Sequence, residues 1–434
     1  MLRIREWLCY ILIDYWRGFI IVNAGKVNGY RRTVASLTSH YTSILDIGSS
    51  KVVCLICSPS GKDGIVVHGA GIGPYSGYRR GLFADDSQLI SAIADSVSAA
   101  EHEAKRRVRD LAVGVPAPFS HLALHKAEVE VSSRSGRIGQ RDIEELINRS
   151  LEFEQPEGFE LTHSTPVEFM VDGAERHDPP IGEKAAVLSG LMSHAYVSSY
   201  FKRLAAEALL RIDLEADMFI SVPLSQSLFI IPEEDRFDGA LLIDVGYTHT
   251  DISYVKHSAL ISCSSIDVGG AHFSGDLAFG LKIPADSAED IKRRYVYSLD
   301  YQDSIDTIRV GGGTLRIEHE AIQYIVESRT DELAKLIINA VETMGLKLCE
   351  GFPVYLTGGG VALMRGSGEY LGKCLSTPVE VRMRWMPRLS SPNYTSAFGV
   401  MDFMTHSQDD AGEVRLETGA RGRMMKKIKD FFVK

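Results

Sequence analysis

From residue 42 onward, apolar positions alternate or cluster in short runs broken by glycine and polar turns. The stretch Ser43-Ile-Leu-Asp-Ile-Gly-Ser-Ser-Lys-Val-Val-Cys-Leu-Ile-Cys57 reads as strand, tight polar turn, strand, and residues 64–73 supply a third strand ending near Tyr75. Residues 85–107 have helical spacing, with Leu89, Ile90, Ile93, Val97 and Ala100 on one side. Short strands are predicted over 111–131, an amphipathic helix over 140–149 and a strand over 161–171, together a small α+β module. Residues 200–210 read as a helix, and 218–222 as a strand leading into another helix. At Ala240 the opening pattern returns, with Leu241-Leu-Ile-Asp-Val-Gly-Tyr-Thr-His-Thr-Asp-Ile-Ser-Tyr-Val255 again strand, polar turn, strand. The two Asp-x-Gly elements lie about 200 residues apart, which fits a duplicated domain and not a solenoid of roughly 20–50-residue period. Helices are expected over 270–277, 287–295 and 318–348, and Pro353-Val-Tyr-Leu-Thr-Gly-Gly-Gly360 reads as a strand ending in three glycines.

Composition changes this picture little. The 434 residues are 45% apolar and 24% charged, with 39 Gly and 15 Pro, which excludes collagen, a disulfide miniprotein and a wholly disordered chain. The net charge of −10, with no basic block interleaved with aromatics in the body of the chain, argues against nucleic acid as a partner. Six cysteines, at 9, 54, 57, 263, 349 and 374, are sparse and mostly inside apolar runs, as expected in a reducing compartment. Cys54 and Cys57 are three apart on a strand, so their thiols should point to opposite faces and form no metal or redox pair. No run of 18 uncharged apolar residues predicts a membrane-crossing helix. The apolar stretch 7–22 is broken by Asp14 and Arg17, so residues 1–41 are expected to be a loose or interfacial extension, or an over-long reading of the start, and not a signal peptide.

The chemistry lies in the polar turns. A strand–turn–strand carrying Asp46-Ile-Gly-Ser-Ser-Lys51 suits phosphate: Gly48 admits an anion close to the backbone, and turn N–H groups with the Ser49 and Ser50 hydroxyls can donate to it. Asp46 can hold a hydrated Mg²⁺, and Lys51 can offset phosphate charge. One such hairpin is weak evidence; its recurrence at Asp244, followed by the strand with three glycines, frames a nucleotide cleft. No Gly-x-x-x-x-Gly-Lys-Ser/Thr is present, and Gly69-Ala-Gly-Ile-Gly73 lacks the spacing and the following helix of a dinucleotide loop.

These residues resemble the FtsA family of bacterial actin-like division proteins. The resemblance rests on Leu45-Asp-Ile-Gly-Ser-Ser-Lys-Val52, Gly81-Leu-Phe-Ala-Asp85, Thr165-Pro-Val-Glu-Phe-Met-Val-Asp-Gly173, Asp267-Val-Gly-Gly-Ala-His272, Ala288-Glu-Asp-Ile-Lys292, Leu356-Thr-Gly-Gly-Gly360 and Pro392-Asn-Tyr-Thr-Ser-Ala-Phe-Gly399, in that order. It implies an α/β actin/Hsp70-type fold of duplicated RNase H-like domains with an inserted small α+β subdomain. The implied division is an extension (1–41), a first domain in two parts (42–108 and 191–237) around the insert (109–190), and a second domain in two parts (238–282 and 353–405) around a helical subdomain (283–352). A linker (406–420) and a terminal helix (421–434) follow. By resemblance, ATP with Mg²⁺ occupies the cleft. Asp46, Gly48, Ser49, Ser50 and Lys51 form one phosphate loop, and Asp244, Gly246, Thr248, His249 and Thr250 the other. Asp46 and Asp244 face the metal, Gly358, Gly359 and Gly360 lie near the adenosine, and Glu289 and Lys292 reach the ribose or base. Two departures matter. Tyr247 and Thr248 stand where the superfamily has glycines, and Val222 stands where hydrolysing relatives carry a carboxylate before proline, so binding with slow or absent hydrolysis is expected and no catalytic residue is assigned.

The tail is legible from physics alone. Residues 421–434 carry Arg421, Arg423, Lys426, Lys427, Lys429 and Lys434 against Asp430 alone. Met424, Met425, Ile428, Phe431 and Phe432 fall on one narrow helical face, the pattern of an interfacial membrane helix on anionic lipid. The family resemblance adds the FtsZ C-terminal tail as a partner, docking around residues 316–336, together with self-association into filaments, other division proteins, and residence on the cytoplasmic face of the inner membrane at the septum. A pilus-assembly actin homologue, or a sugar- or acetate-type kinase of the same fold, is the alternative; neither needs a lipid-binding tail.

Overall fold

A computed structural model describes residues 10–15, 18–23, 41–60, 64–109, 111–297, 304–310, 313–384 and 389–405. The alternating apolar runs build two five-stranded sheets of one topology. In the first half the order is Met218–Ser221, Leu111–Val115, Thr42–Ile47, Lys51–Ser60, Gly64–Pro74. In the second it is Glu380–Val381, Val354–Thr357, Ala240–Val245, Thr250–Lys256, Ala259–Ile266. Each sheet has three antiparallel strands joined by short turns, then two parallel strands reached by crossovers. The central strand Ala240–Val245 is apolar at nearly every position because both its faces are covered, whereas Thr42–Ile47 is buried along its length with Thr42, Ser43 and Asp46 among its residues.

Helix Asp86–Ala104 starts where the Asp85 carboxylate accepts from the N–H groups of Ser87 and Gln88, and it buries Leu89, Ile93, Val97 and Ala100 on the first sheet. It lies unusually close to strand Gly64–Pro74. A methyl group on Gly71 would stand 1.8 Å from the Ser96 carbonyl oxygen, and one on Gly73 2.0 Å from that of Ala92. The Gly69-x-Gly-x-Gly73 stripe is therefore a bed for a helix. Helix Val222–Ile230 and the helix at 395–405 pack between the two sheets in one shared core with Ile44, Leu55, Leu242 and Tyr355.

The module after the first helix pairs Ser120–Glu130, Val187–Ser198 and Phe159–Val171 in an antiparallel sheet, with helix Gln140–Ser150 laying Ile143, Leu146 and Ile147 on Phe169, Leu188 and Met192. Of residues 1–41, expected to be a loose or interfacial extension, two described stretches depart from that expectation and the rest lies outside the described residues. Strands Tyr10–Tyr15 and Gly18–Asn23 form a hairpin that joins this sheet beside His163 and Ser164. A second correction concerns 283–352, expected to be helical. It contains the hairpin Ile305–Val310/Gly313–Glu318, and Arg316 lies on that strand and not on a helix; the long helix is His319–Thr343. Cys54 and Cys57 are buried in different core clusters, so they share no site. Among the described residues, no helix is long and apolar enough to cross a membrane.

Candidate functional site

The two repeated hairpins meet where the two sheets face each other. Tight turns put Asp46 and Asp244 at the ends of their strands, and each turn closes on itself: Gly48 N–H donates to the Lys51 carbonyl at 3.0 Å, Gly246 N–H to that of His249 at 2.9 Å. Strand Val354–Thr357 runs parallel to Ala240–Val245 and delivers the three glycines against the second turn, Gly360 N–H donating to the Val245 carbonyl at 2.7 Å. Gly358 has φ +93°, and a methyl group there would stand 2.2 Å from a carboxylate oxygen of Asp244; glycine is what lets this strand end approach that acid. Between these elements lies a cleft of about 490 Å³.

Of the residues expected to bind nucleotide, Asp46, Gly48, Ser49, Ser50, Lys51, Asp244, Gly246, His249, Glu289, Lys292, Gly358, Gly359 and Gly360 line this one cleft. Thr248 and Thr250 do not. The Thr250 hydroxyl donates to the Val268 carbonyl at 2.7 Å, and that of Thr248 to the Tyr78 carbonyl at 3.1 Å, so both serve the fold. The Thr248 N–H donates to the Ser49 hydroxyl at 3.3 Å and links the two turns. Tyr247, in a position the superfamily gives to glycine, lines the cleft with its ring half-exposed. Val222 also lines it, at the start of its helix, and has no proton acceptor to offer.

Burial sets the electrostatics. The Asp46 carboxyl is held above its ordinary range by burial, only partly offset by the Ser396 hydroxyl donating at 2.6 Å and by Lys51. Asp244 is pushed up to about 6 by burial and by Asp251, against the Gln226 amide donating at 2.9 Å and His249. Burial lowers Lys51 to about 8, although Asp46 works the other way; its ammonium sits 3.9 Å above the Tyr394 ring. His249 loses proton affinity to burial but regains more from Asp251, at 3.3 Å, and ends above its ordinary value. Glu289 and Lys292 form an ion pair at 2.7 Å with Lys292 only 2% exposed, so this is a buried pair and not a solvated one. Ser274 and Arg293 also donate to Glu289, and Lys292 reaches the Gly270 carbonyl at 3.3 Å.

Sequence reading missed Gln226, Thr395, Ser396, Asn393 and Arg293. Gln226 donates to both Asp244 and Thr395, one turn after Val222. Helical spacing alone would have pointed Gln226 to the same side as Val222. Arg293 directly follows Lys292, and Asn393, Thr395 and Ser396 lie in the 392–399 run that carries the resemblance, but nothing local shows that these side chains face the cleft.

The arrangement fits a nucleotide with a divalent cation. Two carboxylates that resist ionisation face one cleft beside Lys51, Lys292 and a glycine wall. The Asn393 Oδ1 is buried there with no hydrogen-bond partner among the described residues. Among the described residues, no cluster of three or more His, Cys, Asp or Glu could hold a metal by itself, so a cation here would need phosphate and water ligands as well.

The chain matches the family model for cell division protein FtsA over 241–399, and that for the SHS2 domain inserted in FtsA over 119–192. The two stretches together exceed half of the chain. The chain belongs to the FtsA family. FtsA of Neisseria meningitidis serogroup B is 26% identical over 372 residues, covering 83% of this chain and 89% of the relative. FtsA of Escherichia coli K12 is 22% identical over 415 residues, 90% and 97%. Solved structures carry the same fold. The PilM–PilN type IV pilus biogenesis complex aligns with TM-score 0.56 at 16% identity over 84% of this chain and 98% of that one. MreB5 of Spiroplasma citri bound to ADP aligns with TM-score 0.51 at 14% identity over 88% and 99%. The fold is thus actin-like with an SHS2 insertion, the architecture of the FtsA family.

Proposed function

We propose that the chain is an ATP-binding, membrane-tethered scaffold of bacterial division. The observation that carries this reading is the convergence of both Asp-x-Gly turns and the glycine strand end on one cleft, in a chain of the FtsA family. In this reading Asp46 and Asp244 face a hydrated Mg²⁺, and Ser49, Ser50 and Lys51 meet the phosphates. Gly358–Gly360 and Asn393 border the nucleoside, and Glu289 and Lys292 hold its sugar or base. The cation supplies the positive charge that lets both buried carboxylates ionise. Burial favours the protonated form of the two acids when no cation is bound, and Val222 offers no water-orienting acceptor at the strand–helix turn, so turnover is slow.

The tail 421–434 lies outside the described residues; its sequence supports lipid binding on the cytoplasmic face of the inner membrane at the septum. The FtsZ C-terminal tail docks on the second half near 316–336, filaments form through copies of the chain, and later division proteins are recruited to them. At that docking region Arg329 is engaged by Asp276 at 2.5 Å and by Glu332 at 2.6 Å, so an incoming peptide carboxylate competes with these partners. The segment divisions given above from the resemblance belong to this same proposal.

The test is calorimetric titration of Mg-ATP into the full chain. Micromolar binding, lost when EDTA removes the cation, supports the cleft assignment; absence of binding makes the chain a nucleotide-independent scaffold.

A further inference from the structure

We propose that the cleft holds a nucleoside diphosphate in preference to a triphosphate, because its two phosphate turns are already closed on each other. The proposal rests on the nucleotide reading above and adds which length of phosphate chain fits.

In that reading Glu289 and Lys292 mark the sugar or base end. The phosphate chain then points toward the two Asp-x-Gly turns, and its last member arrives where they meet. There the turns touch. The Thr248 N–H donates to the Ser49 hydroxyl at 3.3 Å, and the Thr248 hydroxyl to the Tyr78 carbonyl at 3.1 Å. A phosphoryl oxygen that accepts from both the Ser49 hydroxyl and the Thr248 N–H needs those two donors about 5 Å apart. Turning the Ser49 hydroxyl away breaks only the first bond, and the second still holds the turn. Glycine, which the superfamily has at this position, has no hydroxyl to make it. Tyr247 adds its half-exposed ring to the cleft wall at the same turn.

The second turn is also held from behind. The Ala271 N–H donates to the Tyr247 carbonyl at 2.7 Å, and the Gly270 N–H to the Gly246 carbonyl at 2.9 Å. Glycines let these backing elements press close. A methyl group on Gly360 would stand 2.5 Å from the Gly246 carbonyl oxygen, and one on Gly269 2.7 Å from that of Tyr247. In front, the first half reaches across with the short hairpin Tyr78–Arg79/Leu82–Phe83. Arg79 lies 3.1 Å from the His272 Nε2, and Arg80 donates to the Asp267 carboxylate at 2.6 Å. Each of these two exposed contacts is weak alone. Together with the two bonds of Thr248 they clasp the halves at the phosphate end of the cleft.

The electrostatics of that end agree. Asp46, Asp244 and Asp251 line it. Lys292 and Arg293 are committed to Glu289, at 2.7 and 2.8 Å, and His249 to Asp251 at 3.3 Å. A third phosphate adds negative charge beside three acids. It also finds the Gly246 N–H spent on the His249 carbonyl and the Thr248 N–H spent on Ser49. A diphosphate is served by the first turn, through Ser49, Ser50 and Lys51, and leaves the clasp closed.

The test is calorimetric titration of the full chain with the magnesium complexes of ADP, of ATP and of the β,γ-imido analogue of ATP, which resists hydrolysis. ADP should bind about tenfold or more tightly than either triphosphate, as the loss of two hydrogen bonds of ordinary net worth requires. Triphosphates that bind as tightly as ADP overturn the proposal and leave the nucleotide reading standing, whereas no binding by any of the three refutes both. The double variant Tyr247→Gly, Thr248→Gly should bring the ratio of ADP to triphosphate affinity close to one, and an unchanged ratio counts against the proposal. Hydrogen exchange across 246–250 in the unaltered chain needs no variant. It should stay slow with saturating ADP and quicken with the saturating imido analogue, because the turns must part; equal exchange with both refutes the proposal.

Discussion

Replacing Asp244 by asparagine separates what this acid costs the fold from what it gives the site. Its carboxyl is pushed from the ordinary 3.8 to about 6, mainly by burial and by Asp251. At about 1.4 kcal/mol per unit, holding it ionised at pH 7 costs the folded protein about 3 kcal/mol. The sign follows from the raised value. The penalty is whole above about pH 6 and fades as the pH falls toward 3.8, because the folded state then takes up the proton more readily than the unfolded one. Asparagine keeps the shape and can still accept from Gln226. The cation-free variant should therefore be more stable than the parent by about 1–3 kcal/mol at pH 7.5, with the gap narrowing by about half at pH 5. Urea unfolding in EDTA, followed by fluorescence of the full chain at both pH values, measures this. Adding Mg-ATP should reverse the order, because only the parent gains the binding term. A variant less stable than the parent in EDTA, or a gap that does not change with pH, would refute the electrostatic account.

The other predictions test separate links. Gly71→Ala puts a methyl group 1.8 Å from the Ser96 carbonyl and should cost about 1–3 kcal/mol in urea unfolding; an unchanged midpoint would show that the helix can lift off its strand. Lys292→Met removes the partner of half-buried Glu289 and should weaken Mg-ATP binding about tenfold or more while leaving vesicle binding alone, and unaltered calorimetry would remove this pair from the site. Phe431→Asp with Phe432→Asp places charge on the apolar face of the tail and should abolish vesicle pelleting with the Mg-ATP titration unchanged.

Glycine had to be read in two ways here. Gly358 and Gly360 looked functional and do crowd the cleft, whereas Gly69, Gly71 and Gly73 looked like a failed nucleotide loop and instead seat a helix. A one-dimensional string records that a side chain is missing, not which neighbour occupies the space. Arg316 and Thr250 teach the same lesson. A position beside a helical run can lie in a strand, and a threonine in a phosphate-type turn can spend its hydroxyl on a distant carbonyl, here that of Val268.

By itself the sequence determined the local units: the two strand–turn–strand repeats, the glycine strand end and the insert; it also displays the amphipathic pattern of 421–434, which lies outside the described residues. Each follows from periodicity and turn chemistry within a dozen or so residues. It also displayed the departures at Tyr247 and Val222, because a missing glycine or carboxylate is visible without coordinates. Only the tertiary structure decided which acids share one cleft, how far burial raises Asp46 and Asp244, and that Gln226, Ser396 and Asn393 belong with them. The physical reason is that desolvation and pairing depend on what arrives from distant parts of the chain, and no local pattern of residues encodes that arrival.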